Sequence, residues 1–466
     1  MPFVVFMALT GLVILYTQPL QDLVQGEKRT VDPAANSVAF DEQAQAVALA
    51  FPDYPLLSLT TPTDSGHAVV FGVDDGSSTG RQVFVNPYTG DVLGTDQPGS
   101  GPIGLANRLH GYLNNDSILI PLPTVSALWD EGAVMRDYVL GDLILEILGV
   151  WTLVLVFSGL YLWWPRRSRS KPTNSERPTG VRIKKSGRAR WRDLHGLSGV
   201  VLLSALLLTV VSGLAWSTYW GPNFTSLANE LAPNSWTDAP TSGLGERGDL
   251  DRLGNTIHWN TGDIPIPASY ATAADGTAPA AISLDSVATI ADDEGMKPGY
   301  TISFPGNVID ETTGETVYGS FALSNSWPRT TGEARDLFLD QFTGETLADQ
   351  SAYGYGAISY SVDTLVSTHM GTQLGLFSRL MMTVMCVLAL WSVFSASVMF
   401  WKRRRPGTLG LPRRPVDVRL ARGVTVIACV MAVIFPIWGI TAATVLAFDR
   451  FVIRRQSRLR VAFGQR

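Results

Sequence analysis

Five stretches of this chain stay apolar for about the length of a bilayer crossing: Phe3–Leu20, Leu143–Trp164, Gly196–Trp220, Gly371–Trp401 and Gly423–Phe448. Roughly 20 such residues are enough for a helix to cross a hydrocarbon core. The chain is 46% hydrophobic and only 17% charged, and its apolar residues are bunched into these runs, which is the pattern of an integral membrane protein. Phe3–Leu20 is the shortest run. It lacks a basic n-region and a small-residue cleavage site, which argues against a removable signal peptide.

Charge gives the expected orientation, because basic segments next to a span stay in the cytoplasm. Between Pro165 and Arg192 there are eleven Lys and Arg residues, opposed only by Glu176, and Lys402–Arg422 is similarly basic. Gly221–Thr368 instead carries twenty Asp and Glu against five Lys and Arg. Both basic loops are therefore expected inside, and the long acidic segments outside the cytoplasmic membrane. Their acidity suits soluble domains that avoid anionic lipid and nucleic acid. The basic tail, Arg450–Arg466, runs against this rule. The two cysteines, Cys386 and Cys429, both sit in apolar helices, so neither a disulfide staple nor a thiolate metal cluster is expected in the outer segments.

The chain repeats itself. Val83-Phe-Val-Asn-Pro-Tyr-Thr-Gly-Asp-Val-Leu93 returns as Leu337-Phe-Leu-Asp-Gln-Phe-Thr-Gly-Glu-Thr-Leu347, with Gly344 lying 254 positions after Gly90. Alternating apolar residues, a polar turn with glycine and a second short strand make each copy a hairpin. A helical segment precedes each, Asp41–Phe51 and Leu284–Asp293. The spans repeat as well: Val156-Phe-Ser-Gly aligns with Val393-Phe-Ser-Ala, and Thr10-Gly-Leu12 with Ser212-Gly-Leu214. Trp163, Trp164 and Trp401 stand just before basic stops, where aromatic rings anchor a helix at the interface. The expected architecture is a multi-pass α-helical membrane protein of about five spans, as pseudo-repeated helix pairs, carrying two extracytoplasmic α+β domains. Its segments are 1–20 (helix), 21–139 (outer domain), 140–164 (helix), 165–195 (inner loop), 196–220 (helix), 221–368 (outer domain), 369–401 (helix), 402–422 (inner loop), 423–448 (helix) and 449–466 (tail).

This arrangement resembles the PepSY-associated transmembrane family, often described as iron-regulated membrane proteins. The resemblance rests on the two hairpins, on Leu109-His-Gly111, on Gly159-Leu-Tyr-Leu-Trp-Trp-Pro-Arg166, on Trp191-Arg-Asp-Leu-His-Gly-Leu-Ser-Gly199 and on His369-Met-Gly371. It implies PepSY-like outer domains and, as in some relatives, haem-bearing reduction of ferric siderophores.

Five histidines occur, and three flank spans: His110, His195 and His369. Imidazole suits iron, and haem in a helical bundle takes axial ligands from facing helices. His110 and His369 follow the two hairpin repeats at similar distances, so they are the candidate pair for an outer haem b. His195 is the candidate ligand of an inner one. Its repeat-related partner would fall seven positions before Met1, so either the native start lies upstream or the inner site is lost. His67 and His258 read as surface residues. A histidine at a helix end can also simply cap carbonyls.

Asp142 and Glu146 lie one turn apart at the start of the second run, and Arg379 is an available partner for Glu146, either as a structural ion pair or on a proton route. Pro436 is expected to kink the fifth run. The outer segments show no nucleophile with a base, no metal-ligand spacing and no phosphate loop. Two readings of function remain. In the first, the chain carries electrons across the lipid bilayer through haem, from an unidentified donor to a ferric-siderophore or other iron chelate. In the second, it is a non-redox binding or regulatory protein whose PepSY-like modules contact a peptidase or cell-envelope partner. A transporter subunit is disfavoured, since the repeat is parallel and broken midplane helices are not evident.

Overall fold

The computed structural model describes residues 2–115, 117–124, 135–163, 188–232, 242, 244–246, 264–270, 279–310, 313–325, 330–354, 356–403 and 418–463. His258, Trp164 and most of both basic loops lie outside the described residues. The chain begins with α1 (Pro2–Leu15) and α2 (Thr17–Arg29), bent by 60° at Tyr16. Pro19 explains the break. A proline in a helix interior clashes with the carbonyl four residues back, but it is tolerated in a first turn, so the helix stops at Leu15 and restarts.

A first module follows, with α3 (Phe40–Ala50), β1 (Leu56–Thr60), β2 (Val69–Val73), β3 (Arg81–Val85) and β4 (Val92–Asp96). Next come α4 (Gly101–Tyr112), the hairpin β5 (Leu119–Pro123) with β6 (Met135–Val139), and the long helices α5 (Leu140–Trp163) and α6 (Arg188–Leu214), then α7 (Trp220–Leu231). The second module holds α8 (Leu284–Asp293), β7 (Tyr300–Ser303), β8 (Val308–Ile309), β9 (Thr316–Val317), β10 (Ser320–Asn325), β11 (Arg335–Asp340) and β12 (Thr346–Ser351). The chain closes with α9 (Ala357–His369), α10 (Leu376–Arg403), α11 (Val418–Ile434), α12 (Pro436–Phe448) and α13 (Ser457–Ala462). Among the described residues, four helices are long and apolar enough to cross a membrane, or five if α1 and α2 form one broken span. The fifth apolar run breaks at Phe435 (φ −123°, ψ 83°), directly before Pro436, where the sequence puts a kink.

The residues fall into two compact units: Met1–Leu12, Arg108–Phe224 and Leu380–Arg466 form one, Val13–Asn107 and Thr225–Arg379 the other. In the helical unit, Val150, Leu153 and Val154 of α5 pack with Leu214, Met431, Phe435 and Trp438. Trp151 meets Trp438 edge to face at 5.1 Å. A Cβ at position 423 would fall inside the Tyr161 ring, so only glycine lets α11 lie this close to α5.

In the second unit the two modules, which the sequence divides, share one eight-stranded sheet in the order β12-β11-β10-β7-β1-β2-β3-β4. The join is antiparallel pairing of β1 with β7, Leu59 opposite Ile302. The repeat is legible in detail: each terminal hairpin slips register at the equivalent place, between Phe84 and Val85 and between Phe338 and Leu339. Each turn glycine takes positive φ, Gly90 at 76° and Gly344 at 75°. One core serves both modules, with Val47, Leu59 and Phe71 packed together with Val287, Ile302 and Leu337.

The two module helices also cap each other. The Asp285 carboxylate accepts from the amides of Phe40 (2.9 Å) and Asp41 (3.1 Å) at the start of α3, and Asp41 accepts from Leu284 N at 3.1 Å at the start of α8. A carboxylate there satisfies orphan amides and opposes the positive helix end, contributing about 0.5–2 kcal/mol per cap.

Candidate cofactor site

The structure places each histidine on a helix. His110 is in the last turn of α4. Its Nδ1 lies 2.8 Å from the Thr10 hydroxyl of α1, and that hydroxyl also donates to Phe6 O at 2.9 Å, with Met7 O at 3.3 Å. The ring packs against the α1 backbone: a Cβ at Gly11 would meet His110 Cε1 at 3.5 Å and the Cys386 sulfur at 3.9 Å. Burial pushes the His110 pKa down to about 4, so the imidazole is neutral.

His195 sits in the second turn of α6 with Nδ1 3.0 Å from the Ser395 hydroxyl of α10. Ser395 in turn donates to Ser392 O at 3.0 Å. One turn away, Trp191 stacks on Trp391 at 5.8 Å, and Phe394 meets Trp191 edge-on at 5.9 Å. Lys402 lies over the Trp191 ring at 5.8 Å. These rings pin α6 to α10 one turn from His195.

His369 ends α9 in the other unit. The loop behind it is tightly held: Thr372 and Gln373 donate their amides to Ser367 O, at 2.9 and 3.1 Å, and Gly371 adopts φ 75°. Gln373 Oε1 accepts from Thr331 N at 3.0 Å. The helix end carrying His369 is thus rigidly supported.

Glu146, offered by the sequence as a partner for Arg379, accepts from the backbone amides of Tyr219 (3.2 Å) and Trp220 (3.1 Å). It caps α7, which is a structural role for a buried carboxylate.

His67, read from sequence as an ordinary surface residue, is held between Asp64 (2.7 Å) and Asp22 (3.4 Å), and Asp22 also accepts from Arg29 at 3.2 Å. Beside it, Ala68 N donates to Arg29 O and Val31 N to Gly66 O, both at 2.9 Å, fastening the end of α2 to the β1–β2 loop. Burial alone would lower the His67 pKa, but the hydrogen bonds to Asp64 and Asp22 outweigh it and hold the pKa above its usual value. A raised folded-state pKa contributes stability that is fully present below the unfolded value, near 6.5, and is lost as pH rises through the folded value. Amide exchange at Val31 and Ala68, corrected for intrinsic rates, is therefore expected to accelerate above neutral pH. In His67→Gln it should be fast and flat; an identical pH profile in the variant would refute the assignment.

Among the described residues, no three or more His, Cys, Asp or Glu gather at one point where they could hold a metal ion. Haem, whose iron the porphyrin already holds, would ask the chain for few ligands of its own. His110 and His195 could serve such a group: each ring is anchored through Nδ1 to a helix hydroxyl, a kind of support that metal-ligating histidines commonly have. Sequence reasoning named both rings but missed Thr10 and Ser395, although both lie inside the repeated segments Thr10-Gly-Leu12 and Val393-Phe-Ser-Ala.

In comparisons with known proteins, no curated protein matches this chain. Residues 1–403 match the PepSY-associated TM region. The chain therefore belongs to the PepSY-associated transmembrane family and, with its long apolar helices, is a multi-pass membrane protein.

Proposed function

We propose that this protein binds haem b and carries electrons across the cytoplasmic membrane to a ferric chelate, of the siderophore class, on the outer side where the two PepSY modules lie. The observation that carries this reading is the neutral His110 ring, set in a helical unit with its Nδ1 anchored on Thr10. His110 and His195 of the helical unit would be haem ligands, and His369 of the other unit would be a third candidate. Bound haem supplies reversible one-electron chemistry at its iron. The chain's own residues do the rest. Thr10 and Ser395 would orient the imidazoles, the Trp191, Trp391 and Phe394 rings would hold α6 against α10 beside His195, and the held loop after α9 would support His369. An inner donor supplies one electron per ferric ion. The ferrous product binds hard-oxygen chelators more weakly than ferric iron does, which ties the transfer to iron release.

Proteoliposomes with trapped dithionite, and with ferric citrate and a ferrous-specific chromophore outside, test it. Ferrous iron is expected to form outside at a rate proportional to protein, and His110→Ala should bring that rate down to the empty-vesicle background. A wild-type rate equal to empty vesicles would reject the proposal and favour a binding role for the PepSY modules.

A further inference from the structure

The apolar run Phe3–Leu20 outlasts the helix it starts: α1 stops at Leu15, and α2 leaves it at 60°. Added to the ~20° by which spans commonly tilt, such a bend brings α2 near the plane of the membrane. α2 has two faces. One is fastened to the sheet: Gln25 Nε2 donates to Asp96 at 2.7 Å, Lys28 Nζ lies 3.1 Å from the same carboxylate, and Asp22 pairs with His67 at 3.4 Å. The other carries Leu23, 81% exposed, and Val24, 67% exposed, with Pro19 exposed a turn earlier and Leu20 half-buried. The backbone leaves the helical region at Gln25 (φ −126°, ψ 22°), so a kink separates the apolar turns, 17–24, from the charged last turn that holds Lys28 and Arg29.

We infer that α2 is an interfacial helix: Pro19, Leu20, Leu23 and Val24 are seated in the headgroup region of the leaflet where α1 ends, while the last turn grips β4. Two observations name lipid as the occupant. The apolar face is continuous with a membrane-crossing run, and only Tyr16 separates the two helices, so Leu23 and Val24 lie within about two turns of the end of the span. An amphipathic helix at that level sinks its apolar face ~5–10 Å into the boundary between headgroups and acyl chains, which takes both side chains out of water. The repeat also builds this turn twice. Gly213 lies 202 positions after Gly11, and the same step from Thr17 reaches Tyr219; α6 ends at Leu214 and α7 starts at Trp220. That second helix opens with tryptophan, a residue that prefers the headgroup level. Through α2 the sheet unit is held by lipid as well as by its connection to a span. None of this depends on a cofactor.

The test uses the full-length protein in phosphatidylcholine vesicles, in a Cys386→Ala, Cys429→Ala background, with a nitroxide on one of Leu9→Cys, Leu23→Cys, Val24→Cys or Glu27→Cys. Leu9 is 51% exposed on α1 and serves as the reference inside the bilayer. At positions 23 and 24, collisions with lipid-soluble oxygen should exceed those with a water-soluble nickel chelate, at a depth shallower than position 9; position 27 should show the reverse preference. Collisions dominated by nickel at 23 and 24 would overturn the inference. So would protection from both reagents, which marks a cover of protein, either another segment of this chain or a second copy. A depth at 23 equal to that at 9 would overturn it too, making α1 and α2 one broken span. Should the labelled variants misfold, the unaltered chain decides. In vesicles containing a phospholipid with a diazirine beside its headgroup, carbene adducts are expected on the peptide holding Leu23 and Val24, and adducts found on the spans but missing there would reject the assignment.

Discussion

Ile302→Ala is expected to destabilise the sheet unit by about 2–5 kcal/mol, the cost of opening a cavity at a site that cannot collapse, and to loosen both modules together. Ile302 is fully buried on β7. It faces Leu59 of the first module on one side and Leu323 of β10 on the other, within the core that also holds Val47 of α3 and Val287 of α8. A shared core and a continuous hydrogen-bonded ladder make the two halves one cooperative unit. Hydrogen exchange read separately on β3 and β11 checks this. Protection should fall in parallel on both strands, whereas loss confined to β11 would show two modules that merely touch.

The sequence announces each hairpin but not their union. Phe84 and Phe338 lie in recognisable copies because a turn and its flanking strands are local, and glycine at positive φ leaves a visible mark at Gly90 and Gly344. Pairing of β1 with β7 joins residues some 240 positions apart, and nothing in the composition of either strand names its neighbour. The break at Tyr16 was legible in principle: Pro19, one turn downstream, forbids a continuous helix, yet the apolar run passes over it without interruption. Pro436 gave the same warning and there the kink was expected.

The histidines of the candidate site were legible because they are few and flank the spans. Their supports were not. Thr10 and Ser395 are small hydroxyl residues in apolar helices, indistinguishable from the many that simply bond back to a carbonyl, as Thr152 and Thr209 do. His67 was misread for a related reason, since Asp22 and Asp64 come from different elements and meet only on folding.

The larger functional effect is expected from His110→Ala. On the proposed function the imidazole of His110 would be a haem ligand, so removing it should abolish haem binding at that site. On the same reading, His369→Ala should remove haem signal as well. The most direct test is the reduced-minus-oxidised visible spectrum of detergent-purified protein from haem-replete cells, measured for the wild type and for the His110→Ala and His369→Ala variants. A bis-imidazole haem signal in the wild type that is lost in both variants is the predicted result; a folded, colourless wild-type protein would contradict it.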